Sequence, residues 1–100
     1  MDITFEKRGC QAMLRRHPGL GPRVAAAVKS QLAHGLFKAK FATTTRWEGH
    51  PIWECRVNEA SIGSVRAAFT AHDDEVTVIY LSPTLPKRAF ASELDRFLRR

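Results

Sequence analysis

Apolar and polar residues alternate between Pro51 and Leu81, and this alternation limits the possible fold more than any other part of the sequence. Successive side chains of a β-strand point to opposite faces, so residues two apart share a face. The alternation therefore predicts three consecutive antiparallel strands with turns at 58–64 and 72–75. One face of this predicted sheet collects Trp53, Cys55, Val57, Val65, Ala67 and Phe69. We expect that face to be buried.

The opposite face of the predicted sheet carries two arginines on neighbouring strands. Arg56 and Arg66 share it with residues that are mostly small. A planar guanidinium group binds two phosphate oxygens at once, so a pair of arginines among small residues indicates a surface that is open to RNA. The alternative is a solvated sheet face on which the arginines pair with Glu54 and Glu59.

The positive charge of the chain is concentrated in its first half. The formal net charge is +6, and the segment from Lys7 to Trp47 contains nine basic residues and no aspartate or glutamate. Solvated surfaces normally mix both signs of charge, so this segment indicates contact with a polyanion or with an acidic protein. The candidates for nucleic-acid binding are three cations and an aromatic ring that can stack on bases: Lys38, Lys40, Arg46 and Trp47.

Length and composition predict one domain over residues 1–100. With 44% hydrophobic residues, the chain can bury a single two-layer core. No apolar run approaches the roughly 20 residues that span a bilayer, and the N-terminus lacks a signal-peptide layout, so we expect a cytoplasmic protein without membrane contact. Cys10 and Cys55 lack the spacing of a metal or redox motif, and we expect no disulfide, metal or cofactor.

Along the chain, helices are predicted both before and after the three strands. A short strand over 2–5 and a helix over 6–16 precede the glycine- and proline-rich turn at 17–22. A longer helix follows, with apolar residues at four-residue intervals, and ends at Gly35. An amphipathic helix begins at Lys87 and closes the chain.

The segment over 37–47 is basic, aromatic and rich in threonine, so it is either an edge strand or an ordered basic loop. We favour a partly extended loop. The predicted fold is then an α+β domain with a small antiparallel sheet, an N-terminal helical hairpin packed on one face, a basic open face opposite, and a C-terminal helix.

In this order, the elements resemble the RelE/ParE-like toxins of bacterial toxin–antitoxin pairs, including the Gp49 and HigB-like branch. The resemblance rests on four segments: IWECRV at 52–57, SVRAAF at 64–69, an acidic turn at 72–75 and the β-branched strand VTVIY at 76–80. It covers nearly the whole chain in order and implies a RelE-like fold.

The resemblance also implies a function. Family members of this kind enter the ribosomal A site, cleave messenger RNA through the 2′-hydroxyl beside the scissile phosphate, inhibit translation, and are neutralised by an acidic antitoxin protein. That chemistry needs a base, cations that stabilise the charged phosphorane, and an acid for the leaving 5′-oxygen. On the matching positions, Arg66 stabilises the phosphate with Arg56 beside it. Lys87 or Arg88 corresponds to the basic residue that follows the last strand.

The chain departs from the family after its last strand. Active family nucleases place a tyrosine or histidine there, whereas this chain has Phe90 and no tyrosine or histidine beyond Tyr80. The alternatives are a non-catalytic or gyrase-directed toxin of the same fold, and a small basic ribosome-associated RNA-binding protein. His50 is a candidate acid or base if it approaches Arg56, and is otherwise a turn histidine that is exposed to water.

Overall fold

A computed structural model describes residues 2–35 and 40–99 of the chain. The described residues form a five-stranded mixed sheet and three helices. In chain order the elements are β1 (Asp2–Phe5), α1 (Lys7–Arg16), α2 (Leu20–Ala33), β2 (Lys40–Trp47), β3 (His50–Glu59), β4 (Gly63–His72), β5 (Glu75–Ser82) and α3 (Lys87–Leu98). The predicted α+β class is confirmed, as is the order of two N-terminal helices, sheet strands and a C-terminal helix. None of the described helices has the length and apolarity that crossing a membrane requires.

The prediction of a purely antiparallel sheet is wrong at one edge. The strand order is β1-β5-β4-β3-β2, and β1 pairs with β5 in parallel, whereas the other neighbouring strands are antiparallel. A parallel pair needs a long crossover connection. Here that connection is the whole chain between Phe5 and Glu75, so the four residues of β1 contain no local signal of their direction.

The helical hairpin of α1 and α2 covers one face of the sheet, as predicted. Leu20, Val24 and Val28 are fully buried on α2, because their four-residue spacing places them on one side of the helix. They pack against the apolar face of the meander, which comprises Cys55, Val57, Val65, Ala67 and Phe69. The helix ends at Ala33, and Gly35 two residues later has a φ of 66°, a left-handed conformation that glycine adopts without strain.

One glycine sets how closely the hairpin approaches the sheet. A Cβ atom added to Gly9 of α1 would collide with the main-chain carbonyl oxygen of Ile79. Because backbone cannot yield as a side chain does, a residue with a side chain at this position would push α1 away from β5.

The prediction of a partly extended loop over 37–47 is wrong from Lys40 onward, where β2 forms an edge strand; residues 37–39 lie outside the described residues. Lys40 pairs with Glu54, but Arg46 pairs with Pro51, so residues 42–45 bulge from the ladder. The extra residues break the two-residue period of a strand, and for this reason the sequence does not display the strand as an alternation.

The expected open face is covered in its middle by α3. Phe90, Leu94 and Phe97 are buried there against four residues of four strands, namely Ala42, Ile52, Ala68 and Ile79. A helix is about 10 Å wide, whereas strands of ten residues such as β3 and β4 are about 33 Å long. One helix lying across the strands therefore leaves polar residues uncovered at both ends of this face.

Candidate functional site

Arg56 and Arg66 are direct cross-strand partners on the face that carries α3, as the predicted register requires. The Cβ atoms of such partners lie about 4.5–5.5 Å apart. Arg56 is exposed, and its Nη2 donates a hydrogen bond to Ser64 Oγ at 3.2 Å. Arg66 is half-buried, so the two guanidinium groups lie side by side in different surroundings.

Arg66 is held against a buried glutamate. Its Nη1 donates to Glu54 Oε1 at 2.9 Å, and its Nε donates to the carbonyl oxygen of Leu85. The Glu54 side chain is only 2% exposed, against 21% for Arg66. The pairing of an arginine with Glu54 is therefore present, but it is buried instead of solvated. Glu59 accepts its hydrogen bonds from Ser61.

Glu54 is chemically the most unusual group on this face. Burial raises the pKa of its carboxyl, and the charges of Arg66, Lys87 and Lys40 oppose the rise without cancelling it. Its second oxygen, Oε2, is buried and finds no hydrogen-bond partner within residues 2–35 and 40–99. Leaving a buried carboxylate oxygen unsatisfied costs free energy, and such costs are typical of functional sites. A carboxylate with a raised pKa and a spare acceptor oxygen is suited to take up a proton.

Four cations gather around this carboxylate. Lys40 lies directly across from Glu54 on β2, Arg66 binds it, and Arg56 occupies the next position along its face of β3. Lys87, at the first residue of α3, is close enough for its charge to affect the pKa of Glu54. We call Glu54, Arg56, Arg66, Lys40 and Lys87 the Glu54 cluster. The exposed Arg88 follows Lys87 on α3 and extends the positive surface.

The predicted nucleic-acid contacts do not form one group. Arg46 and Trp47 lie at the far end of β2, and because of the bulge their partners on β3 are only three and four residues from the partner of Lys40, which is about 10–13 Å along the sheet. Arg46 Nη1 donates to the carbonyl oxygen of Gly49 at 3.1 Å. Lys38 lies outside the described residues. Lys40 therefore belongs to the Glu54 cluster, and Arg46 and Trp47 belong to a second region.

The interpretation of His50 as an acid or base beside Arg56 is wrong. Both residues face the same side of β3, but they are six residues apart, which is about 20 Å along a strand. Ile52, which lies between them on the same face, is covered by α3. His50 is therefore separated from the Glu54 cluster by a helix.

Tyr80 takes part in a hydrogen-bonded anchor between β5 and α3. Its hydroxyl donates to Glu93 Oε1 at 2.7 Å, and Ser82 Oγ donates to the same oxygen at 2.8 Å. Burial alone would raise the pKa of Glu93, but hydrogen bonds from Tyr80, Thr84 and Ser82 outweigh burial and lower it. Glu93 is thus held as an anion, and its role is to fix α3 on the sheet.

The sequence prediction treated Glu54 only as an ion-pair partner, although a signal for its role was present. Glu54 precedes Arg56 by two residues, so the strand period places both on one face. Its burial follows from the positions of α3 and of the connection at 83–86, which the strand pattern does not contain.

Comparison with protein-family models, with curated proteins and with solved structures found no match to this chain. Within the two described stretches, no three histidine, cysteine or acidic side chains are grouped so that they could hold a metal ion. Burial raises the pKa of the Cys10 thiol to about 12 and that of Cys55 to about 11. Both thiols therefore stay protonated at neutral pH and are poor nucleophiles.

Proposed function

We propose that this chain is a RelE/ParE-like toxin that cleaves messenger RNA on the ribosome, with the Glu54 cluster as its reaction centre. The observation that carries the proposal is the buried carboxylate of Glu54, which has a raised pKa, an unsatisfied oxygen and four neighbouring cations. Burial gives the carboxylate its basicity, and the neighbouring cations, although they oppose the rise in its pKa, provide the positive charge that a phosphate requires.

Glu54 is the base in this proposal. Its carboxylate removes the proton of the RNA 2′-hydroxyl, and the resulting 2′-oxygen attacks the adjacent phosphorus. A raised pKa makes a glutamate a stronger base as long as it remains ionised, and a positioned acid or base typically contributes about 10²–10⁴ in rate. The Arg66 bond to Oε1 leaves Oε2 for the proton, and because Oε2 is buried, RNA binding must first open its surroundings.

Arg66 and Arg56 stabilise the charge that grows on the phosphorane as the 2′-oxygen bonds to phosphorus. When the 5′-oxygen leaves, Lys87 gives it a proton, and the products are a 2′,3′-cyclic phosphate and a 5′-hydroxyl. Lys40 and Arg88 hold neighbouring backbone phosphates. In this assignment Lys87 does the work that other family nucleases give to a tyrosine or histidine.

The partners in this proposal follow from charge. The segment from Lys7 to Trp47, which contains no acidic residue, provides the positive surface that binds ribosomal and messenger RNA. An acidic antitoxin inhibits the toxin by binding to the same positive charge. Both partners place the protein in the bacterial cytoplasm.

Induction of the chain in bacteria, with and without Arg66→Ala, tests the proposal. We expect the unaltered chain to stop growth and protein synthesis, with messages cut at ribosome-bound positions. Arg66→Ala should relieve the arrest, and Glu54→Gln should do so while leaving no unpaired buried charge. Arg99→Ala is the matched control, because Arg99 is exposed at the end of α3, lies outside both the Glu54 cluster and the segment from Lys7 to Trp47, and gives the same change of charge. Continued message cleavage in both cluster variants would refute the proposal.

A second function, RNA binding without cleavage, is favoured by the contacts of Arg66. Its Nε and Nη1 donate to Leu85 and Glu54 within the chain, so a phosphate must compete for these donors. A binder of this kind would protect ribosome-bound messages without cutting them, and its effect would survive Glu54→Gln. Arrest with intact messages and inhibited DNA supercoiling would indicate a gyrase-directed toxin.

A further inference from the structure

A row of aromatic side chains crosses the sheet at the end away from the Glu54 cluster. Trp47 pairs with His50 across β2 and β3, His72 pairs with Glu75 across β4 and β5, and the rings of the two histidines contact each other. The rings of His50 and His72 are 4.3 Å apart between centroids, with planes inclined by 33°. We call Trp47, His50, His72 and Glu75 the histidine row.

The histidine row borders a shallow pocket of about 220 Å³ on the face that carries α3. Trp47 is half-buried against the apolar core beneath α3, so its ring is fixed in place. Thr70 and Thr77 are cross-strand partners in the adjoining row and also line the pocket. The side chain of His72 is 61% exposed. The pocket therefore combines exposed aromatic surface with hydroxyl groups.

We propose that the histidine row is a binding site for a single RNA base that carries an amino group. Single-stranded RNA is recognised when unpaired bases stack on aromatic side chains, histidine included, and form hydrogen bonds through their edges. Aromatic rings on three adjacent strands provide the stacking surface. The carboxylate of Glu75 accepts a hydrogen bond from an exocyclic amino group, and the threonine hydroxyls accept or donate.

The charge around the pocket selects a base over a phosphate. Glu48 and Glu75 line it, and Asp73 Oδ2 lies 3.4 Å from His72 Nε2. Acidic groups at these positions repel a phosphate but accept hydrogen bonds from amino groups. Adenine, cytosine and guanine carry such a group, and uracil does not. The site should therefore discriminate against uracil.

The choice of RNA as the source of the base rests on the proposed function, whereas the binding itself is tested separately. The histidine row and the Glu54 cluster lie on opposite sides of the part of β3 that α3 covers, and His50 is about 13 Å from Glu54 and about 20 Å from Arg56 along that strand. A base bound at the histidine row thus belongs to a nucleotide several positions from the one that is cleaved, and the row contributes sequence preference without taking part in the reaction.

Titration with the nucleosides adenosine and uridine, followed by NMR of the histidine ring signals, tests the inference. Nucleosides are used because they carry no phosphate. We expect adenosine to shift the signals of His50 and His72 and to leave those of His17 and His34, which lie on the hairpin side, unchanged. His72→Ala should weaken adenosine binding at least about fivefold, whereas His72→Phe, which keeps an aromatic ring, should retain it.

Equal shifts at all four histidines, equal affinity for uridine, or full binding by His72→Ala would each overturn the inference. Glu54→Gln separates it from the proposed function, because adenosine should bind that variant as well as the unaltered chain. If adenosine binds at the histidine row but the unaltered chain does not cleave messages, the base-binding inference is supported and the proposed nuclease function is refuted. If the chain cleaves messages but does not bind adenosine, the nuclease function is supported and the base-binding inference is refuted.

Discussion

The two faces of the sheet differ in how completely they are covered. The face beneath α1 and α2 is apolar, and two helices of ten and 14 residues lie over it. The opposite face is covered by α3 alone, which is 12 residues long and buries only the middle. Polar residues occupy both ends of that face, with the exposed Arg56 and the half-buried Arg66 at one end beside the buried Glu54, and His50 and His72 at the other.

Within one sheet, the face beneath α1 and α2 provides the larger apolar core, whereas the face beneath α3 carries the residues of the proposed sites. A single helix across the middle provides enough apolar contact to hold the second face, and it leaves two separated polar surfaces where side chains meet solvent. Burial at the edge of α3 also gives Glu54 its raised pKa, which is the property that the proposed chemistry requires.

The largest effect is expected from opening the covered face. Phe69 is fully buried beneath the hairpin, and Phe69→Ala should lower the free energy of unfolding by about 3–5 kcal/mol in urea denaturation. Phe41→Ala is the control, because Phe41 is 58% exposed and stacks on Trp53. Its cost should be about 1 kcal/mol. Phe41 pairs with Trp53 and so lies on the same face as Phe69, and equal costs for both variants would show that burial beneath the hairpin does not set the cost.

A smaller loss of stability is expected at the Glu54 cluster. Arg66→Ala leaves Glu54 buried without its ion-pair partner and should lower the free energy of unfolding by roughly 3 kcal/mol at pH 7. Arg56→Ala, on the neighbouring strand, removes an exposed arginine and should cost no more than about 0.5 kcal/mol. Adding Glu54→Gln to Arg66→Ala should recover most of the loss; a double variant as unstable as Arg66→Ala would refute the buried-charge explanation.

The smallest effect is expected at the anchor of α3. Glu93→Gln should cost about 1 kcal/mol at pH 7, because the ionised carboxylate accepts hydrogen bonds from Tyr80 and Ser82 while water screens part of its charge. Since the folded-state pKa of Glu93 is lowered, its contribution exists above the unfolded pKa and disappears as the pH falls through the folded pKa. Thermal unfolding of both chains between pH 3 and pH 7 measures the difference.

The two glutamates should respond to pH with opposite signs. The folded-state pKa of Glu54 is raised, so the unaltered chain should lose stability relative to Glu54→Gln as the pH rises through that pKa. If the stability difference between the unaltered chain and the Gln variant changes with pH in the same direction for Glu54 and Glu93, burial does not impose a desolvation cost on Glu54.

The strand pattern was sufficient to predict the face assignment of the meander and the pairing of Arg56 with Arg66. It was sufficient because three strands with a buried face repeat every two residues, so the register follows from local order. The hairpin and the terminal helix were predictable for a similar reason, since each carries a stripe of apolar residues at helical spacing.

The remaining features depend on contacts between distant segments. The direction of β1 is set by pairing with β5 at the other end of the chain, and the bulge in β2 removes the period that would reveal a strand. The burial of Glu54 requires α3 and the segment at 83–86. His50 and His72 meet only because β3 and β4 pair in register, and neither residue belongs to a local motif.

The sharpest test of Glu54 as the base is the pH dependence of message cleavage on programmed ribosomes under single-turnover conditions. The rate of the unaltered chain should rise with pH through a pKa above the ordinary glutamate value and then level off, as the carboxylate becomes available. Glu54→Gln should lose this rise and cut about 10²–10⁴ times more slowly. Equal rates and the same pH profile in both chains would show that Glu54 is only a structural partner of Arg66.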